Sequence, residues 1–243
     1  MSTAEESAYT QLAQEHQRQQ VAEAAAVIAA LGFYWRRTLT ARDLEGSFGR
    51  FMLVAAPIVA AGRARSEVIA QFYYTILKDY AGLAAPLAIE AQPFVLPQVT
   101  ASLHATGVGS AKRAIGLGRP APAAIAQGGA RMLNAAKRHT LDAGRQRLID
   151  LSVRDEDVRG WARVSDGDPC YYCAELLARG PIYSDRVVTF KAHDECGCGV
   201  RPIVKGDDDP YTRAARALSD LYDEDPATFR SRLPEARASG FLY

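Results

Sequence analysis

All four cysteines of this 243-residue chain lie between positions 170 and 198, and His193 lies among them. Written as spacing, Cys170, Cys173, His193, Cys196 and Cys198 read C-x2-C, a gap of nineteen residues, then H-x2-C-x-C. Two donors a knuckle turn apart can grip one ion, and a second cluster closes the tetrahedron while the chain between folds as a short helix and a hairpin. Ala174 to Arg179, stopped by Gly180-Pro181, predicts that helix, and Val187 to Phe190 with Val200 to Val204 predicts paired strands. Thiolates with imidazole favour zinc. Five candidates stand for about four positions, and spacing does not single out the spare one. Two disulfides or free buried thiols are the competing readings. Disulfides require an oxidising compartment, and residues 1–20 are polar and acidic, without the pattern of a secretory signal. With all four positions filled by protein, no place remains for an activated water, so the metal would hold a fold rather than catalyse.

The rest of the chain is core-forming: 48% hydrophobic and 23% charged, with 29 Lys and Arg against 28 Asp and Glu. A net charge of +1 argues against a polybasic nucleic-acid wrapper, and the hydrophobicity argues against a disordered acidic chain. The longest apolar runs, Ala24 to Trp35 and Phe51 to Gly62, are short of the roughly 18–20 residues a bilayer crossing needs, so no membrane is expected. Residues 1–82 read as an alanine-rich helical region. Thr3 with Glu6 resembles a capping box, Leu31–Gly32 a helix end, and Thr40 with Asp43 a second start. Ile69, Phe72, Tyr73, Ile76, Leu77 and Tyr80 predict a helix over 66–80. The run from Phe51 to Ala61, broken by Pro57, is the place to expect packing on a partner. Recurrent Pro and Gly make 83–122 a connector. Gly107-Val108-Gly109 and Gly116-Leu117-Gly118 complete no phosphate-loop signature.

Residues 123–160 hold a long basic helix, with an apolar stripe from Ile125 through Met132, Ala136 and Leu141 to Leu151. From 111 to 149 there are eight basic residues and one acid, Asp142. Arg131, Arg138 and Arg145 are seven apart and fall along one line of a helix. With Lys137 they are candidate contacts to a nucleic-acid backbone, without base specificity because no aromatics interleave; a solvated helix face is the alternative. The compensating acids lie in the tail, 206–243, where Asp207-Asp208-Asp209 reads as a cation site or, more simply, a solvated turn.

Trp161 through Asp166 to Cys170, then Cys173, His193, Cys196 and Cys198, resembles the C-terminal domain of MuF-like minor head proteins of tailed bacteriophages, above all those of actinobacteriophages often labelled capsid maturation protease. The resemblance covers about 45 residues within 161–205. Phe190-Lys191-Ala192 stands where that family usually has prolines, and Glu195 and Gly197 where it often has Asn and Arg. The resemblance implies a virion component inside the capsid beside the portal, present in the host cytoplasm during assembly. It implies the portal protein and the major capsid protein or scaffold as partners, with phage DNA a further candidate.

Enzyme readings are weaker. A protease needs a nucleophile with a base, and His16, His104 and His139 accompany no nucleophile elbow. A treble-clef nuclease could use His193-Asp194 but lacks a second identifiable base, and an ADP-ribosyltransferase constellation is not found. No catalytic residue is assigned. The expected fold is mostly α, an N-terminal alanine-rich helical region with a small C-terminal α+β zinc-binding module.

Overall fold

A computed structural model describes residues 3–165, 171–178, 190, 192–205, and positions 222, 224, 225, 228, 229, 231 and 232. Its elements are α1 (Thr3–Thr38), α2 (Leu44–Tyr80), α3 (Leu96–Thr106), α4 (Val108–Gly116), α5 (Ala121–Arg154), β1 (Val158–Val164), α6 (Tyr171–Ala178) and β2 (Gly199–Val204). The fold is mostly helical, as expected, with one two-stranded sheet among the described residues.

Helix α1 does not stop at Gly32. That glycine lies inside the helix and against Leu133 of α5: a Cβ there would sit in ordinary contact, 3.5 Å from the Leu133 Cδ1. Beyond it, Trp35 donates from Nε1 to the Ile125 carbonyl at 3.1 Å and meets Phe51 edge-on at 5.4 Å. This anchoring carries α1 on to Thr38. Asp43, not Thr40, caps α2 by accepting from the Gly46 amide at 2.8 Å.

The start expected at Thr40 with Asp43 and the helix expected over 66–80 belong to one helix, α2, which runs through Pro57. Pro57 removes one backbone bond, but it lies on the exposed face where water can take the freed carbonyl. On either side Phe51, Ala55 and Val59 are fully buried against the other helices, and that packing outweighs the local break. Further along, the buried face is Ala70, Tyr73, Tyr74 and Leu77, while Phe72 points outward. Helix α2 is long and apolar enough, by length and composition, to cross a membrane, which unbroken apolar runs had not revealed. Here it packs between α1 and α5.

Within the expected connector, 96–116 is helical. Helices α3 and α4 pack on α5 and bury Val99, Leu103, Val108 and Ala111. Gly107 and Gly128 permit this contact: a Cβ on Gly128 would meet the Gly107 carbonyl oxygen at 2.5 Å.

Two apolar clusters run along the body, one around Trp35, Phe51, Leu103 and Met132, the other around Tyr74, Leu148, Trp161 and Val204. Helix α5 contributes to both, with Met132, Ala136, Leu141, Leu148 and Leu151 buried as the stripe predicts. Near the second cluster, Lys78 donates to Asp155 at 2.6 Å and Asp157 at 3.1 Å, tying the end of α2 to the turn that leads from α5 into β1. Among the described residues, strand β2 pairs with β1. The two run antiparallel from Val158↔Val204 to Val164↔Gly199. Val187, Val188 and Thr189 lie outside the described residues, and the Phe190 ring packs tilted against Trp161 with centroids 5.9 Å apart.

Candidate metal centre

Cys173 projects from α6, and His193 and Cys196 from the turn that leads into β2. The Cys196 amide donates to the His193 carbonyl at 3.0 Å, closing the tight turn that H-x2-C spacing implies. Cys173, His193 and Cys196 offer donor atoms within 4.8 Å of one another, and the three could hold a metal ion. The Cys173 Sγ lies 3.6 Å from the Cys196 Sγ and 3.9 Å from the His193 Nε2. Cys173, Cys196 and Cys198 are free thiols rather than disulfide partners. Cys198 is buried in the same small cluster, and its thiol hydrogen-bonds with Cys173 and Cys196. Cys170 lies outside the described residues, as does the Asp207-Asp208-Asp209 run.

Hydrogen bonds from Cys173 and Cys198, together with the Arg145 charge, hold the Cys196 thiol well below its ordinary range. Cys173, donating to Cys196 and buried, is pushed up. At 1% exposure Cys173 is a poor nucleophile despite its histidine neighbour, because attack needs an accessible thiolate. The donor set suits a thiophilic cation instead.

The loop 193–198 is held by helices α1 and α5. Arg145 is the central contact: its Nε donates to the Cys198 carbonyl at 2.9 Å, and Nη2 donates to the carbonyls of Cys196 at 2.9 Å and Cys198 at 2.6 Å. Nη1 pairs with Asp142 at 2.7 Å. One turn pair back, Arg138 pairs with Asp194 at 2.7 Å, and Lys137 donates to the Glu195 carbonyl at 3.1 Å. From α1, the Gln17 amide nitrogen donates to the Gly197 carbonyl. Gly199 lies directly against the Gln17 amide, so a Cβ there would push the Gln17 side chain aside.

This changes the reading of the arginine line. Arg145 is 4% exposed, so its guanidinium is not on a solvated face and does not reach a phosphate while the loop is in place. Arg138 and Lys137 serve the same loop. Arg131 is exposed and donates to the Ser110 hydroxyl at 3.0 Å. Arg131, Arg138 and Arg145 all lie on α5, but the carbonyls that Arg145 meets are more than fifty residues away in sequence and left no local signal.

A family model, the VG15 protein, matches residues 8–225, most of the chain. The chain belongs to the VG15 protein family. VG15 is a phage-associated family, so the chain is a phage-encoded protein. Comparison with curated proteins and with solved structures returned no match. Within this VG15-family chain the remaining histidines stand apart from the metal centre's donor set. His104 pairs with Glu45 at 2.8 Å and lies edge-on to Phe48, while Ser102 accepts from Arg138. His139 is half-buried, with its Nε2 shielded from solvent and unpartnered. His16, stacked on Tyr73 at 4.4 Å, is buried next to the loop. None of the three has a serine or cysteine partner among the hydrogen bonds of the described residues.

Proposed function

We propose that this VG15-family chain is a zinc-stabilised structural protein of a tailed-phage head, held at the portal inside the capsid and acting in head assembly. The observation that carries the metal part is the convergence of Cys173, His193 and Cys196. For tetrahedral zinc, with Zn–S about 2.3 Å and Zn–N about 2.0–2.1 Å, donor–donor edges are about 3.8 Å between sulfurs and about 3.6 Å between sulfur and nitrogen. The separations of 3.6 and 3.9 Å fit such a shell. Cys198 or Cys170 supplies the fourth donor. Bound zinc would supply folding free energy to the short module, whose described residues form one two-stranded sheet and one helix of eight residues.

Burial of the cysteines supports a structural site rather than a catalytic one. Membership of a phage family and the MuF-like motif of 161–198 support the head assignment, with the portal and the shell or scaffold protein as partners. The test is quantitative mass spectrometry of purified procapsids and virions, with capture of the chain on immobilised portal. Detection at a few copies per particle or more, together with portal capture, is the expected result. Absence from both particles overturns the assignment. A protease is separated by co-expression with the phage's shell protein: shell cleavage abolished by His104→Ala would replace the structural reading.

A further inference from the structure

The helical body carries a second charged feature, at the end opposite the use made of Arg145. From Ala91 to Leu141 the chain contains no Asp or Glu, across α3, α4 and the first two-thirds of α5. The α1–α2 turn folds onto this acid-free region: Glu45 at the start of α2 contacts both Lys112 of α4 and His104 of α3, and Trp35 near the end of α1 lies against Gly107 and Gly129. Arg36, Arg37 and Arg42 from the α1 end and turn thereby share one end of the body with Arg113 and Arg119 from α4 and its exit. All five are exposed. Among the described residues, the two acids of this end, Asp43 and Glu45, are already engaged, with Arg50 at 3.6 Å and with Lys112 and His104. Arg37 lies over the Phe33 ring at 3.7 Å, and none of the five has an acidic partner among the described residues.

We infer that this end of the bundle is a binding surface for the phosphate backbone of duplex nucleic acid. A face on which exposed arginines outnumber the two locally engaged acids concentrates positive potential, which drives salt-dependent association with a polyanion. Its unpaired charges are all arginine, whose planar fork engages phosphate oxygens in pairs, where lysine offers only a point charge. The charges come from two separate chain segments, so the surface exists only in the folded body and is invisible as a sequence run. The surface differs from the Arg138–Arg145 line, which the metal loop covers, and it does not depend on the head-protein reading.

The experiment uses the full chain, purified under reducing conditions, and a labelled 20-base-pair duplex whose anisotropy is followed across salt concentrations. The variant Arg36→Gln/Arg42→Gln/Arg113→Gln/Arg119→Gln is compared with a variant of equal charge change at exposed arginines elsewhere, Arg18→Gln/Arg65→Gln/Arg154→Gln/Arg159→Gln. Circular dichroism verifies that both fold. The first is expected to weaken binding at least tenfold and to flatten the log–log salt slope by roughly 3 to 4, at about 0.9 per phosphate contact. The second should change the slope by about 1 or less. Equal losses in the two variants, or no duplex binding by the parent chain at low salt, would overturn the proposal. Binding to poly-glutamate but not to the duplex would also overturn it, in favour of an acidic protein partner.

Discussion

The Arg145 guanidinium is buried against Cys196, 3.8 Å from its sulfur, and donates to the backbone carbonyls of both Cys196 and Cys198. One side chain of α5 thus orients the loop that carries two of the three converged donors, His193 and Cys196, and places a positive charge beside the Cys196 sulfur. A cluster of thiolates around one divalent ion carries surplus negative charge, so a fixed cation beside it favours the ionised form each donor must adopt.

Arg145→Met keeps the bulk of the side chain but leaves the two carbonyls and Asp142 without their donor. The expected result is a loss of about 2–4 kcal/mol in thermal or denaturant unfolding, typical of one buried charged partner removed. Metal retention against a competing chelator should fall about 10- to 100-fold. Arg145→Lys should not restore it, since a single ammonium lacks the fork that reaches both carbonyls. Unchanged chelator resistance in Arg145→Met would show that the contact is packing alone.

One metal ion per chain is expected after purification under reducing conditions, measured by elemental analysis, with zinc the metal found. Cys173→Ser and Cys196→Ser should each lose it. Chelation should abolish protection from hydrogen exchange in β1, β2 and the loop 193–198 while the helical dichroism of α1, α2 and α5 persists, because Phe51, Val59, Leu103 and Met132 pack without the loop. A metal-free protein with the same exchange pattern would remove the site.

Acid should destabilise the protein through its buried histidines. Burial lowers His16 to about 3, and burial with the nearby Arg138 charge lowers His139 to about 4. Both values lie below the unfolded value of about 6.5. The unfolded chain therefore takes up protons that the folded chain refuses, so the contribution is intact above about pH 6.5 and is lost as pH falls toward 4. Each histidine adds up to about 1.4 kcal/mol per pH unit over that range. His16→Phe retains a ring against Tyr73 and should make the fall in urea midpoint between pH 6.5 and 4.5 shallower than in the parent. Identical slopes would disprove the assignment.

Two glycines should respond to alanine with opposite signs. At Gly128 a Cβ would lie 2.5 Å from the Gly107 carbonyl oxygen, a backbone atom that moves only if α3 and α4 shift off α5. Gly128→Ala should cost about 2–4 kcal/mol, in the range of overpacking a tight contact. Gly49, inside α2, has nothing within 4 Å of the same position, and Gly49→Ala should stabilise by about 0.5–1 kcal/mol through helix propensity. Melting temperatures of the two variants decide both.

Much of the candidate site is legible in sequence because its donors follow local rules. A histidine and a cysteine three apart meet in one turn whatever surrounds them, and the buried stripe of α5 follows from a 3.6-residue period. The errors have a common cause. Gly32 and Pro57 carry strong local preferences for ending a helix, yet both lie inside helices because Leu133 packs beside the first and Phe51, Ala55 and Val59 bury around the second. Glycines and prolines of 96–122 likewise suggest a connector, whereas Gly107 and Gly128 are the points where helices touch most closely. Proximity in space cost the local preference its vote.

The amino-acid sequence by itself determined the helical character, the long basic helix and a compact set of thiol and imidazole donors, since each depends on spacings of a few residues. Tertiary structure decided what those features face. It paired β2 with β1, turned Arg145 inward onto Cys196 and Cys198, and gathered Arg36, Arg42, Arg113 and Arg119 at one end. Charge and hydrogen-bonding capacity belong to the residue, but the partner that uses them is chosen by packing between segments far apart in the chain, where no sequence period reaches.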